Sequence, residues 1–288
     1  WLRGGTERLR MKQVDEPPSS DDPRLGRERP GGPETAAAAR EFAERRPSEV
    51  ALGVPSLIWG AGQARRVRLI LEHIPLHDRR ILDIGCGVGQ YVRHLRALPA
   101  TVYGIDVERG RVAEGVRAVP GLMVATAEAL PFRDGSFDVV LLNEVIEHVR
   151  DERRALAEAA RVLPPGGHVV IYAPNRGFPF ETHGIQWRGR HRFGNYPLLN
   201  YLPRGIRDRL VPHARVYSRA EMRRLVRGLP YRTLTHGVVY PGFDGIRSRH
   251  ALVGRLLQST LHRAERTPLR AFGLSHFVIL EKVGEAAA

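Results

Sequence analysis

A chain of 288 residues can bury a substantial hydrophobic core, and no stretch approaches the roughly 18 consecutive apolar residues that a membrane-spanning helix requires. A lone cysteine, Cys86, excludes an intramolecular disulfide framework and makes the cytosol the expected compartment. The net charge of +14 is almost wholly guanidinium, since only Lys12 and Lys282 are lysines, yet the absence of any run of five adjacent cations and an aromatic share of 7% disfavour a patterned nucleic-acid surface.

Residues 1–48 mix Pro, Gly, Ser and both charge signs without apolar periodicity, so a disordered tail is expected, with a short helix over Glu34 to Arg46 that Pro47 ends. Residues 49–288 are expected to form one domain. Val67, Ile70, Leu71 and Ile74 recur at helical spacing within Ala61 to Ile74, and a turn then leads into the buried strand Ile81 to Ile84. Strands follow at Thr101 to Asp106, Leu122 to Thr126, Phe137 to Leu142 and Gly167 to Ala173, with helical segments near 90–98, 107–118 and 150–162. Such alternation predicts an α/β fold with a parallel, doubly wound, Rossmann-like sheet.

Past Pro174 the regularity breaks into an aromatic, Pro- and Arg-rich stretch, read as an insertion over 176–216. Ser218 and Glu221 then form a capping box for a helix to Leu229, and two last strands are expected near 231–240 and 275–283. Between them, an insertion over 243–270 holds a basic amphipathic segment at 246–266, with Leu252, Val253, Leu256, Leu257 and Leu261 on one side and Arg249, Arg255, His262, Arg263 and Arg266 elsewhere. Such a stripe packs on a core or lies on an anionic membrane surface.

Directly after the first strand, Gly85, Gly87 and Gly89 alternate around Cys86 and Val88 before a helix, where glycine lets the backbone approach a ligand closely. A dinucleotide fingerprint fails, because Gln90 or Val92 stands where its third glycine belongs, and no Gly-Lys-Ser/Thr marks a phosphate loop. Asp106 ends the second strand, where a carboxylate can take both hydroxyls of a ribose.

With these residues, the stretches 126–139 (TAEALPFRDGSFDV), 141–149 (LLNEVIEHV) and 161–174 (RVLPPGGHVVIYAP) make the chain resemble the class I S-adenosylmethionine-dependent methyltransferases. The resemblance implies a seven-stranded sheet with its last strand antiparallel and S-adenosylmethionine across the carboxyl ends of the first strands. By position it gives Asp83, Gly85, Gly87 and Gly89 the methionine portion, Asp106 the ribose, Val107 an adenine face, Ala127 and Glu128 the adenine edge, and Asn143 the border of the sulfonium. Many relatives carry Asp where Thr126 stands, so the adenine edge departs from the pattern.

Glu144, Glu147 and His148 fall at i, i+3 and i+4, which on a helix would place them on one face beside the methyl group. This Glu-x-x-Glu-His is similar to that of the methyltransferases of ubiquinone biosynthesis, which O-methylate catechols, and of those that 2′-O-methylate small RNAs. In the RNA group these residues and a later histidine ligate a divalent metal, and His183 can supply the later ligand here. The same acids occur in relatives without metal, where His148 or His183 is the general-base candidate.

These readings predict methyl transfer from S-adenosylmethionine to a small, fairly apolar acceptor such as a quinol, a phenolic or a lipid-like compound, by O-methylation. The insertion over 176–216 would serve as a lid, with peripheral membrane contact as a further expectation. An RNA 2′-O-methyltransferase and a noncatalytic cofactor-binding subunit are the rival readings.

Overall fold

The computed structural model describes residues 60–284, so the expected tail and its helix over Glu34 to Arg46 lie outside the described residues. Helix α1 (Ala61–Leu71) leads into β1 (Arg80–Ile84), α2 (Gln90–Leu95), β2 (Thr101–Asp106), α3 (Arg109–Gly115), β3 (Leu122–Val124), β4 (Val139–Asn143), α4 (Glu152–Val162) and β5 (His168–Pro174). The insertion contributes β6 (Phe180–Glu181), β7 (Ile185–Trp187), β8 (Arg190–Arg192), β9 (Tyr196–Pro197) and α5 (Arg204–Leu210). The chain then forms α6 (Arg219–Val226), β10 (Tyr231–Val239), α7 (Asp244–Arg249), α8 (Ala251–Ala264) and β11 (Ser275–Lys282).

Seven of these strands form one sheet in the order β10-β11-β5-β4-β1-β2-β3. β11 runs antiparallel to both its neighbours, while β1 to β5 pair in parallel, as a doubly wound sheet with a reversed last strand requires. The central strands read as unbroken apolar runs because helices cover both faces. Leu82, Ile84, Val140, Leu142, Val169 and Ile171 pack with Leu156, Ala159 and Val162 of α4. Their strand neighbours Ile81, Val139, Leu141 and Val170 point the other way, onto Ile70, Val92 and Leu95.

Chain order reverses between β1 and β4, which hydrogen-bond side by side although β2 and β3 intervene in sequence. The crevice beyond the carboxyl ends of such a pair is where open α/β sheets bind ligands. Four of the inferred site residues surround it: Gly85 and Gly87 follow β1, Asn143 ends β4, and Asp106 ends β2.

One expectation is corrected. Glu144 to Arg150 form turns rather than a helix, because Glu144 takes a left-handed conformation (φ 56°) and donates its N–H to Tyr172 O, prolonging β4 beside β5. The basic segment at 246–266 falls on two helices, which meet at His250 (φ −138°, ψ 79°). The insertion over 176–216 is a small body of its own, with two hairpin pairings and a core of Leu199, Val211 and Ala214.

Candidate functional site

All three loop glycines have positive φ, from 56° at Gly87 to 85° at Gly89, a region that residues with a Cβ resist. At Gly85 space is also closed, since a Cβ would come within 2.3 Å of Val145 Cγ2. Asp106 holds the loop in place: its carboxylate accepts from Gly87 N–H and from Glu108 N–H, both at 2.8 Å. Asp83 lies buried beneath, and burial, followed by the Asp106 charge, pushes its carboxyl up to about 8. Burial also pushes the Cys86 thiol up, so this cysteine is a protonated packing residue and no nucleophile.

A cavity of about 700 Å³ opens over this loop, within the ~300–1,000 Å³ span of ligand pockets. Its floor is Gly85, Cys86, Gly87 and Asn143; Val239, Tyr240, Phe193 and Leu274 supply apolar wall, and Arg66 and Arg111 supply positive charge. Glu144, His148 and His183 also line it. Asp106, Val107, Ala127 and Glu128 lie outside this lining. Val107 is exposed beside the loop, Ala127 is buried in the core, and Glu128 Oε1 accepts from Arg150 N–H at 2.8 Å near the start of α4.

The Glu-x-x-Glu-His side chains lie near one another but take different partners. Glu144 turns toward α1, where its Oε1 accepts from Arg66 Nη2 and from Ser275 Oγ, each at 2.6 Å. Burial would raise its carboxyl, but the Arg66 charge and the Ser275 hydrogen bond bring it below the usual range. Glu147 goes the other way. Its side chain is wholly buried, neither carboxylate oxygen has a hydrogen-bond partner, and burial beside the Glu144 charge holds the carboxyl well above its usual range.

Two imidazoles face Glu147 Oε1: His148 Nε2 at 3.9 Å and His183 Nε2 at 4.0 Å. Each ring is anchored through its other nitrogen, His148 Nδ1 on His213 O at 2.8 Å and His183 Nδ1 on Glu181 Oε1 at 2.7 Å. In the neutral form of either ring Nε2 is therefore the acceptor nitrogen. Burial, with His183 alongside, depresses His148 to about 4, so its ring is neutral near neutral pH. Glu147, His148 and His183 are the group among the described residues whose donor atoms could share one metal ion, and Glu144 is outside it.

Local spacing could not reveal Arg66, Ser275, Glu181 or His213. Arg66 is one of several arginines on α1, yet it reaches Asn143 Oδ1, Glu144 and Ser275 and stacks over Tyr172 at 4.6 Å. Ser275 stands at the first position of the last strand and is brought in by the sheet alone.

A family model described as a methyltransferase domain matches residues 82–171. The ubiquinone biosynthesis O-methyltransferase of Thiobacillus denitrificans is 32% identical over 184 residues, spanning 61% of this chain and 74% of that one. The demethylmenaquinone methyltransferase of Renibacterium salmoninarum is 31% identical over 160 residues, spanning 50% of this chain and 67% of that one. A crystal structure of an S-adenosylmethionine-dependent methyltransferase from Mesorhizobium loti superposes with a TM-score of 0.54 at 19% identity, covering 77% of this chain and 98% of that one, which speaks to the fold alone.

Proposed function

The chain belongs to the class I S-adenosylmethionine-dependent methyltransferases, and on that premise we propose that it methylates a hydroxyl of a small, fairly apolar acceptor: a quinol, a phenol or a lipid-like compound. One observation carries this reading. A single cavity joins the glycine loop to His148 and His183 between apolar and aromatic walls.

The loop fits the cofactor. Its positive-φ glycines leave backbone open to the cavity, and each Asp106 oxygen, with one backbone N–H bound, keeps acceptor capacity for a ribose hydroxyl. Arg66 and Arg111 line the same cavity and match an amino-acid carboxylate. S-adenosylmethionine supplies an electrophilic methyl carbon, so the protein mainly aligns the acceptor oxygen and accepts its proton. The bare Nε2 atoms of His183 and His148 provide the acceptor for that proton, and the lid over 176–216 brings His183 to the cavity and keeps water from it.

Glu147, His148 and His183 also fit a divalent cation, since buried oxygens without partners and two anchored imidazoles converge on one point. Such an ion supplies Lewis acidity that lowers the pKa of a bound hydroxyl. Protein purified without chelator is expected to carry nearly stoichiometric metal, and Glu147→Gln/His183→Asn to lose it. Metal-free protein with full activity removes the ion from this reading and leaves the imidazole base.

Among the described residues no helix is long and apolar enough to cross a membrane, and we place the enzyme at an anionic membrane surface through α8. The exposed Leu252 and Leu256 of that helix support the placement.

The acceptor class is tested by incubating the protein with methyl-labelled S-adenosylmethionine and a cell extract, then separating organic-soluble, aqueous, RNA and protein fractions. Label is expected in the organic fraction. Label confined to RNA replaces this acceptor by an RNA 2′-hydroxyl.

A further inference from the structure

Behind His183 lies a buried ion pair that the chemistry above does not use. Glu181 and Arg207 are 1% and 2% exposed, and Glu181 Oε2 accepts from Arg207 Nη2 at 2.6 Å. The other oxygen, Oε1, accepts twice from His183, from its backbone N–H at 2.8 Å and from Nδ1 at 2.7 Å. Arg207, on α5 of the lid, is held in turn by Ala214 O. With the Arg207 guanidinium on one oxygen and two N–H groups of His183 on the other, the Glu181 carboxylate is placed to accept on both oxygens.

We propose that Glu181, clamped by Arg207, is a positioning residue that keeps the proton of His183 on Nδ1 and so presents a bare Nε2 to Glu147. Two further contacts fix the same ring from the backbone side. His191 Nε2 and His213 Nε2 both lie on His183 O, at 3.0 and 3.1 Å, and each must donate there. The His183 peptide is thus held at its N–H, at its carbonyl and at its ring nitrogen, all by groups of the lid. A carboxylate behind an imidazole is the arrangement by which proteins choose a tautomer and raise the basicity of the far nitrogen.

The alternative is that the pair only staples the lid. Truncating one partner cannot separate the two, because a buried charge left alone destabilises the fold by itself. Replacing both, as Glu181→Leu/Arg207→Met, removes the acceptor without stranding a charge, and such replacements are often neutral for stability. The inference rests on the assignment of His183 to the site, but its readout does not need the loaded enzyme.

The measurement is the imidazole nitrogen-15 spectrum of metal-free protein above neutral pH, with the His183 signals assigned by their loss in His183→Asn. Wild-type protein is expected to show a protonated Nδ1 and a bare Nε2, and the double variant a mixture in which Nε2–H gains. A wild-type spectrum with the proton on Nε2, or a double variant with the wild-type pattern, overturns the proposal. A lowered melting temperature with an unchanged tautomer likewise assigns the pair to stapling.

Manganese titration provides the second readout. Loss of an orienting partner of this kind lowers metal affinity by roughly 10- to 100-fold. Equal affinities in wild-type and double variant overturn the positioning role. Absence of manganese binding by wild-type protein overturns the metal reading alone, and the spectrum then decides the tautomer by itself.

Discussion

His236 and His276 face each other across β10 and β11, Nε2 to Nδ1 at 3.2 Å, and the remaining His276 nitrogen, Nε2, sits 2.8 Å from Tyr217 O. Only one proton arrangement satisfies all three groups: His276 Nε2 donates to the carbonyl and its Nδ1 accepts from His236 Nε2–H. A proton added to His276 Nδ1 would set two donors head to head. Burial, then the neighbouring imidazole and the arginines Arg219 and Arg223, lowers His236 to about 3, and burial lowers His276 as well. The sign of the stability effect follows. Above the unfolded value, about 6.5, both states are neutral and the pair contributes no pH dependence. As pH falls below that, the unfolded chain binds protons that the folded chain refuses, so stability declines toward the folded value near 3. Asp83 acts oppositely, since a carboxyl raised to about 8 makes the fold less stable as pH rises from the unfolded value, about 3.9. The total slope is therefore a difference, and comparison with His236→Gln isolates the imidazole part. That variant is expected to flatten the fall in melting temperature between neutral and mildly acidic pH; a parallel pair of curves would show that the pair does not titrate as described.

A single side chain of helix α1 reaches the ends of two strands. Arg66 joins the helix to the ends of β4 and β11 through Asn143, Glu144 and Ser275, and its backbone carbonyl accepts from Tyr172 Oη at 3.0 Å. Arg66→Met leaves Glu144 without its cation in a half-buried place, an expected loss of about 1–3 kcal/mol, below the ~3–5 of a fully buried pair. Arg66→Met/Glu144→Gln should recover much of it, as a thermal-melt cycle would show; additive losses would mean the two residues are not coupled. Which elements were legible in the sequence follows the same physics. The central strands were readable because burial on both faces makes them apolar without interruption, and Ser218 with Glu221 announced α6 by a capping box that the structure contains. The turn after β4 was not readable, because spacing at i, i+3 and i+4 suits a helix unless the first residue is left-handed, and Glu144 is held so by a bond to β5 that lies far along the chain. The strands of the 176–216 insertion, of two or three residues each, are too short for any period to show. Of the cavity lining, Gly85 and Gly87 could be placed from local pattern and Asn143 from the family resemblance, and the partners from α1, the insertion and β11 could not, since only the tertiary fold brings them near.

On the scale of the whole molecule, the cavity and the basic insertion meet. Tyr240, Pro241, Gly242 and Asp244 line the cavity, and α7 and α8 follow directly from that loop. α8 packs inward through Gly254, which sits against Arg247, and Ala264, and its Glu265 end is tied to Arg65 of α1. Among the described residues nothing covers the opposite side: Leu252 is 77% exposed and Leu256, one turn on, is 69% exposed, with Val253 beside them. Exposed Arg249, Arg255 and Arg263 flank these residues, within a chain of net charge +14, so the surface complements an anionic bilayer in both its apolar and its charged parts. If α8 docks on such a bilayer, as proposed above, an apolar acceptor dissolved in it would reach the cavity beside that helix. Burying a leucine is worth about 1.5–3 kcal/mol, so Leu252→Ser/Leu256→Ser should weaken binding to vesicles containing anionic lipid by at least about tenfold. Raised salt should weaken binding of the unaltered protein, because the arginine contribution is screened. Turnover of a water-soluble phenol should stay unchanged in the variant, since neither leucine lines the cavity. Equal sedimentation of both proteins with anionic vesicles would place the contact elsewhere, whereas failure of either to bind, with dimerisation lost in the variant, would make α8 a surface between two copies of the chain.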